Sequence, residues 1–386
     1  MLLYLFIFLI PVVWYYSTID DDEQSKKTLG IYIGCLALFV GLSDMFGGYD
    51  RYIYGEVFDQ YSILVRGGGN LAQSALVQGF PTEWGYIAFN HLMSYVTLNR
   101  YIFIFTLTIL IYTLLFVSIK EYCENYPFAV ILFLGLWFFF TFTYLRQVAA
   151  ATIGWLAIRY AIDRKPIPFF AIVTLAFGFH NSALVLAPLY FIPQKIFSKV
   201  TVLLIFAVCL FLGITNIIGQ IVSASDVVLD QARVASNAVA LEEGSFRIAY
   251  FLEAVFFSVV IFLNYDLFDE DNPKETTLLN MALIFCAILL LFIRSDNGGR
   301  FAWHYMIGTI ATISSIVHRT NQRQLYSSFI IVLMLFLYIR IFNAWQHYNN
   351  LYPYKTFLTN GHRTPDYTYE WYEYDQRYDR DKFYKL

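Results

Sequence analysis

Apolar runs close to the roughly 20 residues that a helix needs to cross about 30 Å of hydrocarbon recur from one end of the chain to the other. They predict spans near 2–17, 28–46, 100–119, 127–144, 147–163, 199–218, 247–264, 277–293, 301–317 and 325–345. A bilayer core offers backbone amides no water, so each crossing is expected to be helical. The expected fold is therefore all-α, a polytopic transmembrane helical bundle with about ten crossings. The first run, MLLYLFIFLIPVVWYY, lacks a basic start and an A-x-A-like end. It reads as a retained span rather than a cleaved signal.

Lys and Arg in the short loops set the orientation. The informative loops are 20–27, 159–165, 193–199 and 318–323. All four share the inner face only if residues 166–193 cross an even number of times. The apolar segment 167–192 then becomes a re-entrant hairpin, with Gly178, His180, Asn181 and Ser182 at its centre, as suits a helix break lining a polar cavity. The alternative is one long span, with the lysines of 193–199 outside. The hairpin topology puts the N-terminus, segments 47–99 and 219–246, the turns at Arg146 and 294–300, and the tail on the outer face. Residues 1–345 then form one transmembrane domain. Segment 219–246 suits a helix lying on the membrane surface, and the Tyr-rich tail 346–386 an extracytoplasmic appendage.

Composition agrees: 58% of residues are hydrophobic and 14% charged, which leaves no room for a large soluble domain. A net charge of −3 without a basic stripe argues against nucleic acid as a partner. Cys35, Cys209 and Cys286 lie inside apolar runs and Cys123 sits alone in a loop, so neither disulfide nor zinc spacing is present.

Charges at membrane depth are costly, which makes each a candidate for function. In GGYDRYIYGEVF, Asp50 and Tyr54 lie one helical turn apart, and Asp50 can accept a proton or cap a helix end. In FPTEWGYIAFNHLM, a helix starting near Pro81 or Thr82 puts Glu83, Tyr86 and Asn90 on one face. The Trp84 ring beside Glu83 is expected to raise its pKa toward general acid–base use; the alternative is a Glu complementing a helix dipole. In TYLRQVAAATIG, Arg146 and Gln147 open a span whose small residues permit close packing. An Arg there either snorkels or offers its planar fork to phosphate. His180, in AFGFHNSALVLAP, is a structural histidine or a site residue. In IRSDNGGRFAWHY, Arg294 and Arg300 flank a Gly-rich turn, with His304 one turn on; the pair reads as a phosphate clamp or as two snorkelling side chains. Arg247, Glu253 and Arg340 are expected to pair within the membrane. Cations outnumber carboxylates at these outer positions, which points to an anionic ligand such as phosphate or pyrophosphate.

With these motifs in this order the chain resembles the EpsG family of bacterial exopolysaccharide proteins, related to Wzy-type polysaccharide polymerases. The resemblance rests on GYDRY at Asp50, TEWGY at Glu83, LRQVAA at Arg146 and Gln147, and FHNSA at His180 and Ser182. GRFAWHY at Arg300 and the YPYK of Tyr352 to Lys355 match more loosely. It departs from the pattern where Arg51, not Tyr, follows Asp50. The resemblance implies a GT-C-like glycosyltransferase of the bacterial inner membrane, its site facing outward. Such an enzyme joins oligosaccharide units carried on undecaprenyl pyrophosphate into a surface polysaccharide. For such a reaction the residues read above would place Arg146 and Arg300, with Arg247 or Arg294, at the pyrophosphate, and Gln147, His304, Tyr54 and Tyr86 along the substrate. Glu83 or Asp50 would receive the acceptor proton, with His180 as an alternative. No cofactor or metal is expected, because arginines can neutralise the leaving group. Expected partners are the lipid-linked oligosaccharide, membrane lipid and other export proteins. Two other classes fit the same cations: a flippase for the same lipid-linked sugar, and a ligase or acyltransferase on the same carrier.

Overall fold

The chain's Ser and Asn residues mark where its helices begin. Ser25, Asn99, Asn125, Ser198 and Asn272 each accept a hydrogen bond from an amide two or three residues on, which satisfies an otherwise orphaned donor. The computed structural model describes residues 1–19, 25–43, 49–215, 217, 245–295, 297–346, 351, 354 and 356–358. Among these, fifteen α-helices form and no strand, apart from one isolated bridge between Ser43 and Thr356. In chain order they are α1 (Leu2–Ser17), α2 (Lys26–Leu42), α3 (Tyr49–Gly67), α4 (Ala75–Gly79), α5 (Trp84–Val96), α6 (Arg100–Tyr122), α7 (Tyr126–Leu136) and α8 (Leu145–Trp155). Then follow α9 (Ile158–Ile162), α10 (Pro166–Phe179), α11 (Lys199–Ile214), α12 (Ile248–Leu263), α13 (Pro273–Leu291), α14 (Met306–Arg319) and α15 (Arg323–Gln346). Helices α6, α13 and α15 are long and apolar enough to cross a membrane; α1, α7, α10, α11 and α12 are shorter apolar helices. Most of segment 219–246 and most of the tail lie outside the described residues.

Three expected spans are not single α-helices. The run 127–144 ends its α-helix at Leu136 and continues as a 3₁₀ segment, Phe138–Phe142. Bulky rings lose rotamer freedom against the preceding turn of an α-helix. Here the Phe138 ring packs edge-on against Phe139, Phe142 and Phe133. The run 147–163 is divided between α8 and α9, and the expected span 301–317 opens as a 3₁₀ segment, Gly298–Tyr305, before α14. Small residues set the close approaches in the core. A Cβ on Gly308 would lie 2.3 Å from the Cβ of Met281, and one on Gly213 would lie 2.3 Å from the carbonyl oxygen of Leu290.

Hydrogen bonds between loops define two ends of the bundle. At one end Arg323 bonds the carbonyl of Ile19 and Arg319 pairs with both Glu124 and Glu275. There too Lys274 donates to the carbonyl of Glu121 at 2.6 Å. At the opposite end Tyr4 donates to the carbonyl of Leu351 at 2.8 Å, and the Arg247 amide to the carbonyl of Ile293 at 2.8 Å. The Phe357 amide donates to the carbonyl of Leu42 at 3.0 Å, and the Tyr354 ring stacks on Phe39 at 4.2 Å. The described part of the tail therefore docks against α2.

Segment 167–192 is a hairpin. Helix α10 stops at Phe179, His180 is extended (φ −160°, ψ 130°), and the chain returns as a 3₁₀ segment, Asn181–Phe191. Its two ends meet where Arg164 donates to the carbonyls of Tyr190 at 2.5 Å and Ile192 at 2.8 Å, and Tyr190 donates back to the carbonyl of Arg164 at 2.9 Å. A single long span would separate these groups by the thickness of the bundle. Single cysteines replacing Lys165 and Lys195 in a cysteine-free chain are thus expected to react with an impermeant maleimide from the same face. Labelling from opposite faces would contradict the hairpin.

Helices α3 and α5 pack on one another and against α6 and α10 at the Leu351 end. Arg100 at the start of α6 pairs with Asp59 and lies 5.5 Å over the Tyr52 ring, which pins α3 in place. Arg51 is fully buried and donates to the carbonyls of Val40 (3.1 Å), Ser43 (3.1 Å), Phe142 (3.3 Å) and Gly41 (3.5 Å). One guanidinium thus ties the start of α3 to the end of α2 and the turn before α8.

Candidate functional site

Helix α8 begins at Leu145 with Tyr144 as its N-cap residue and no side-chain cap. Such an end presents amide donors and the positive pole of the helix dipole. Arg146 and Gln147 lie in its first turn, both buried, so Arg146 does not snorkel. Its guanidinium forms an ion pair with Glu83, whose side chain is fully buried. It also lies over three rings, Phe80 at 3.8 Å, Tyr54 at 5.0 Å and Tyr86 at 5.8 Å, which hold the cation in an aromatic box. Asp50, one turn before Tyr54, lies within electrostatic reach of both Tyr54 and Tyr144.

Glu83 is the N-cap residue of α5, one position before the first helical residue, and its side chain makes no cap hydrogen bond. Its carboxylate meets Arg146, while the Trp84 ring lies over Gly178, where an added Cβ would fall 2.7 Å from the indole. This close approach seats α5 on the hairpin and so aims Glu83 at α8. Gly178→Ala is expected to lower stability by about 1–3 kcal/mol, the usual cost of overpacking. Thermal unfolding in detergent checks it, and an unchanged midpoint would contradict the packing.

Gln147 extends the site to the hairpin. Its Nε2 donates to the Ser182 hydroxyl at 3.3 Å and to the carbonyl of Arg300 at 3.2 Å. The Ser182 hydroxyl lies 2.8 Å from His180 Nδ1 and 2.8 Å from His304 Nε2. His304 is fully buried, and its carbonyl accepts a bond from the Trp155 indole at 3.1 Å. His304 thus touches the site through Ser182, while His180 is half-buried at the hairpin tip.

Arg300 stacks over the Tyr144 ring at 4.0 Å and donates to the Tyr144 hydroxyl at 3.2 Å. Arg294 turns the other way and donates to the carbonyl of Ile214 at 3.3 Å, so the two arginines of the turn do not close as one clamp. Arg247 is the N-cap residue of α12 and shares with Arg300 the neighbourhood of Tyr250. Farther along α12, Glu253 lies within electrostatic reach of Arg340 on α15. Among the described residues no group of three or more His, Cys, Asp or Glu side chains could hold a metal ion.

The structure therefore brings Asp50, Tyr54, Glu83, Tyr86, Arg146, Gln147, His180, Arg300 and His304 around one helix N-terminus, with Arg247 and Arg294 to one side. Sequence reasoning did not single out Phe80, Tyr144 or Trp155. Tyr144 carried a signal, as an aromatic two positions before an intramembrane Arg. Phe80 and Trp155 carried none, because aromatic residues are everywhere in this chain.

These features define a polytopic helical membrane protein with a cationic, aromatic-boxed site at one end of its bundle. The chain belongs to the EpsG family, whose family model matches residues 26–356. Membership supports, in general terms, a Wzy-like polysaccharide polymerase, and with the apolar helices it supports a membrane role in polysaccharide biosynthesis. No curated protein and no solved structure matches the chain.

Proposed function

We propose that the chain is a glycosyltransferase that joins oligosaccharide units carried on undecaprenyl pyrophosphate. Its GT-C-like architecture, its inner-membrane location and an outward-facing site are parts of the same proposal. The observation that carries it is the uncapped N-terminus of α8, flanked by Arg146 and Arg300. A helix N-terminus with two guanidinium groups suits a pyrophosphate leaving group, whose charge grows as the glycosidic carbon departs. Tyr144, under Arg300 and next in the chain to α8, keeps that cation at the helix end.

Attack also requires a group that accepts the proton of the incoming hydroxyl. Glu83 is fully buried against Arg146, so its role is to hold the guanidinium. Asp50, half-buried and within electrostatic reach of Tyr54 and Tyr144, takes the acceptor's proton in this reading. His304 acts through Ser182, and Gln147 joins the hairpin to α8. Loops rich in Lys and Arg gather at the other end of the bundle, which supports placing the site outside.

Deletion of the gene separates this reading from transport of the same lipid-linked sugar. Loss of long polymer with single repeat units still reaching the cell surface is the expected result. Loss of the surface units themselves would overturn the polymerase reading in favour of a flippase.

A further inference from the structure

The turn that carries Arg300 has little to hold it from within. It is a 3₁₀ segment, Gly298–Tyr305, opened by two glycines, and 3₁₀ hydrogen bonds are poorer than those of an α-helix. Its place is set by α8, where Tyr144, Gln147 and Trp155 follow at steps of three and eight residues and so share one face. All three bond the turn. Tyr144 lies under the Arg300 guanidinium at 4.0 Å and accepts from it at 3.2 Å. Gln147 Nε2 donates to the Arg300 carbonyl at 3.2 Å, and the Trp155 indole donates to the His304 carbonyl at 3.1 Å. The first of these carbonyl contacts fixes the Gln147 amide, because a carbonyl only accepts and the atom facing it must be the nitrogen. The same Nε2 also donates to the Ser182 hydroxyl at 3.3 Å, which lies 2.8 Å from His304 Nε2. Gln147 therefore reaches the turn twice, directly at Arg300 and through Ser182 at His304. Both of its donor hydrogens are spent on protein, so none remains for a phosphate oxygen.

We infer that Gln147 is a positioning residue for Arg300: it clasps the backbone of the 3₁₀ turn to the first turn of α8 and so holds that guanidinium beside the helix N-terminus. This rests on the pyrophosphate reading of the α8 end. Gln147 then serves the substrate through Arg300 and not by donating to it. Tyr144 sets the guanidinium, Gln147 the carbonyl of the same residue, and Trp155 the far end of the turn. With the clasp open, Arg300 is no longer fixed where negative charge grows on the leaving group, and fixed placement is what makes such a cation effective.

The test is a double-mutant cycle on the full chain in lipid nanodiscs. Gln147→Met keeps the length and bulk of the side chain and removes both bonds. It is expected to bind inorganic pyrophosphate about tenfold more weakly than the wild type, the worth of one or two hydrogen bonds. In an Arg300→Gln background the same change should cost less than about twofold, because the residue it positions is gone. Trp155→Phe, which removes the tie at the far end of the turn, is expected to weaken binding about threefold and to fall silent in that background. In elongation, Gln147→Met should lower kcat about tenfold and leave KM for the lipid-linked unit within about twofold, since inorganic pyrophosphate carries the charge that the leaving group acquires only in the transition state. Unchanged pyrophosphate affinity in Gln147→Met would overturn the inference. So would an equal loss in both backgrounds, which would mean that Gln147 touches the ligand itself. Amide exchange of residues 298–305 reads the clasp with no ligand present and is expected to quicken about tenfold in Gln147→Met. A wild type that binds no pyrophosphate would count against the reading of the site, while exchange unchanged by Gln147→Met would overturn the clasp.

Discussion

Arg146→Ala is expected to abolish polymer formation and to lower stability by about 3–5 kcal/mol, because it leaves the Glu83 carboxylate buried without its cation. The two effects can be separated. Replacing both partners, Glu83→Leu with Arg146→Met, removes the charges together and fills similar volume, which in buried pairs is often neutral or stabilising. The double variant should therefore fold about as well as the wild type and still elongate nothing. Arg146→Lys keeps one positive charge but loses the planar fork that lies against Phe80, Tyr54 and Tyr86, and is expected to retain only a trace of activity. Unfolding midpoints and chain-length gels on the same preparations check the set.

Arg51→Ala is expected to have the larger effect on folding. Bonds from a charged donor are each worth about 1.5–3 kcal/mol, and here one side chain serves carbonyls from α2 and from the turn before α8. A loss of about 4 kcal/mol or more, at the far end of what single substitutions do, is the expected result. Arg51→Lys should recover only part of it, since an ammonium cannot span the same acceptors. Because the carbonyls it binds belong to helix ends and a turn, the folded fraction should elongate at close to the wild-type rate. A normal unfolding midpoint in Arg51→Ala would contradict the tie between the helices.

The role of Arg51 also shows where sequence reading stops. Asp50 and Arg51 stand side by side in one motif, yet Arg51 could be read only as a departure from an expected pattern. The carbonyls it hydrogen-bonds leave no mark in the identity of any residue. The hairpin was legible as one of two alternatives, because Gly178, His180 and Asn181 interrupt an apolar run and the flanking basic loops share a face only with an even number of crossings. The break of 127–144 was not, because hydropathy does not distinguish an α-helix from a 3₁₀ segment. Charge at membrane depth singled out Glu83, Arg146, His180 and Arg300 one at a time. That Glu83 and Arg146 pair, or that Ser182 stands between His180 and His304, depends on contacts across 63 and 122 residues of chain. Proximity in sequence misleads at Arg294 and Arg300, which share a turn and face different partners.

The central claim is that the α8 end uses Arg146 to carry the pyrophosphate of a lipid-linked sugar while units are joined. The most direct measurement supplies undecaprenyl-pyrophosphate repeat units to the purified chain in lipid and follows product length on a gel. Wild type and the folded Glu83→Leu, Arg146→Met double variant are run side by side. A ladder from wild type and none from the double variant is the predicted result. No ladder from wild type, or equal ladders from both, would contradict it.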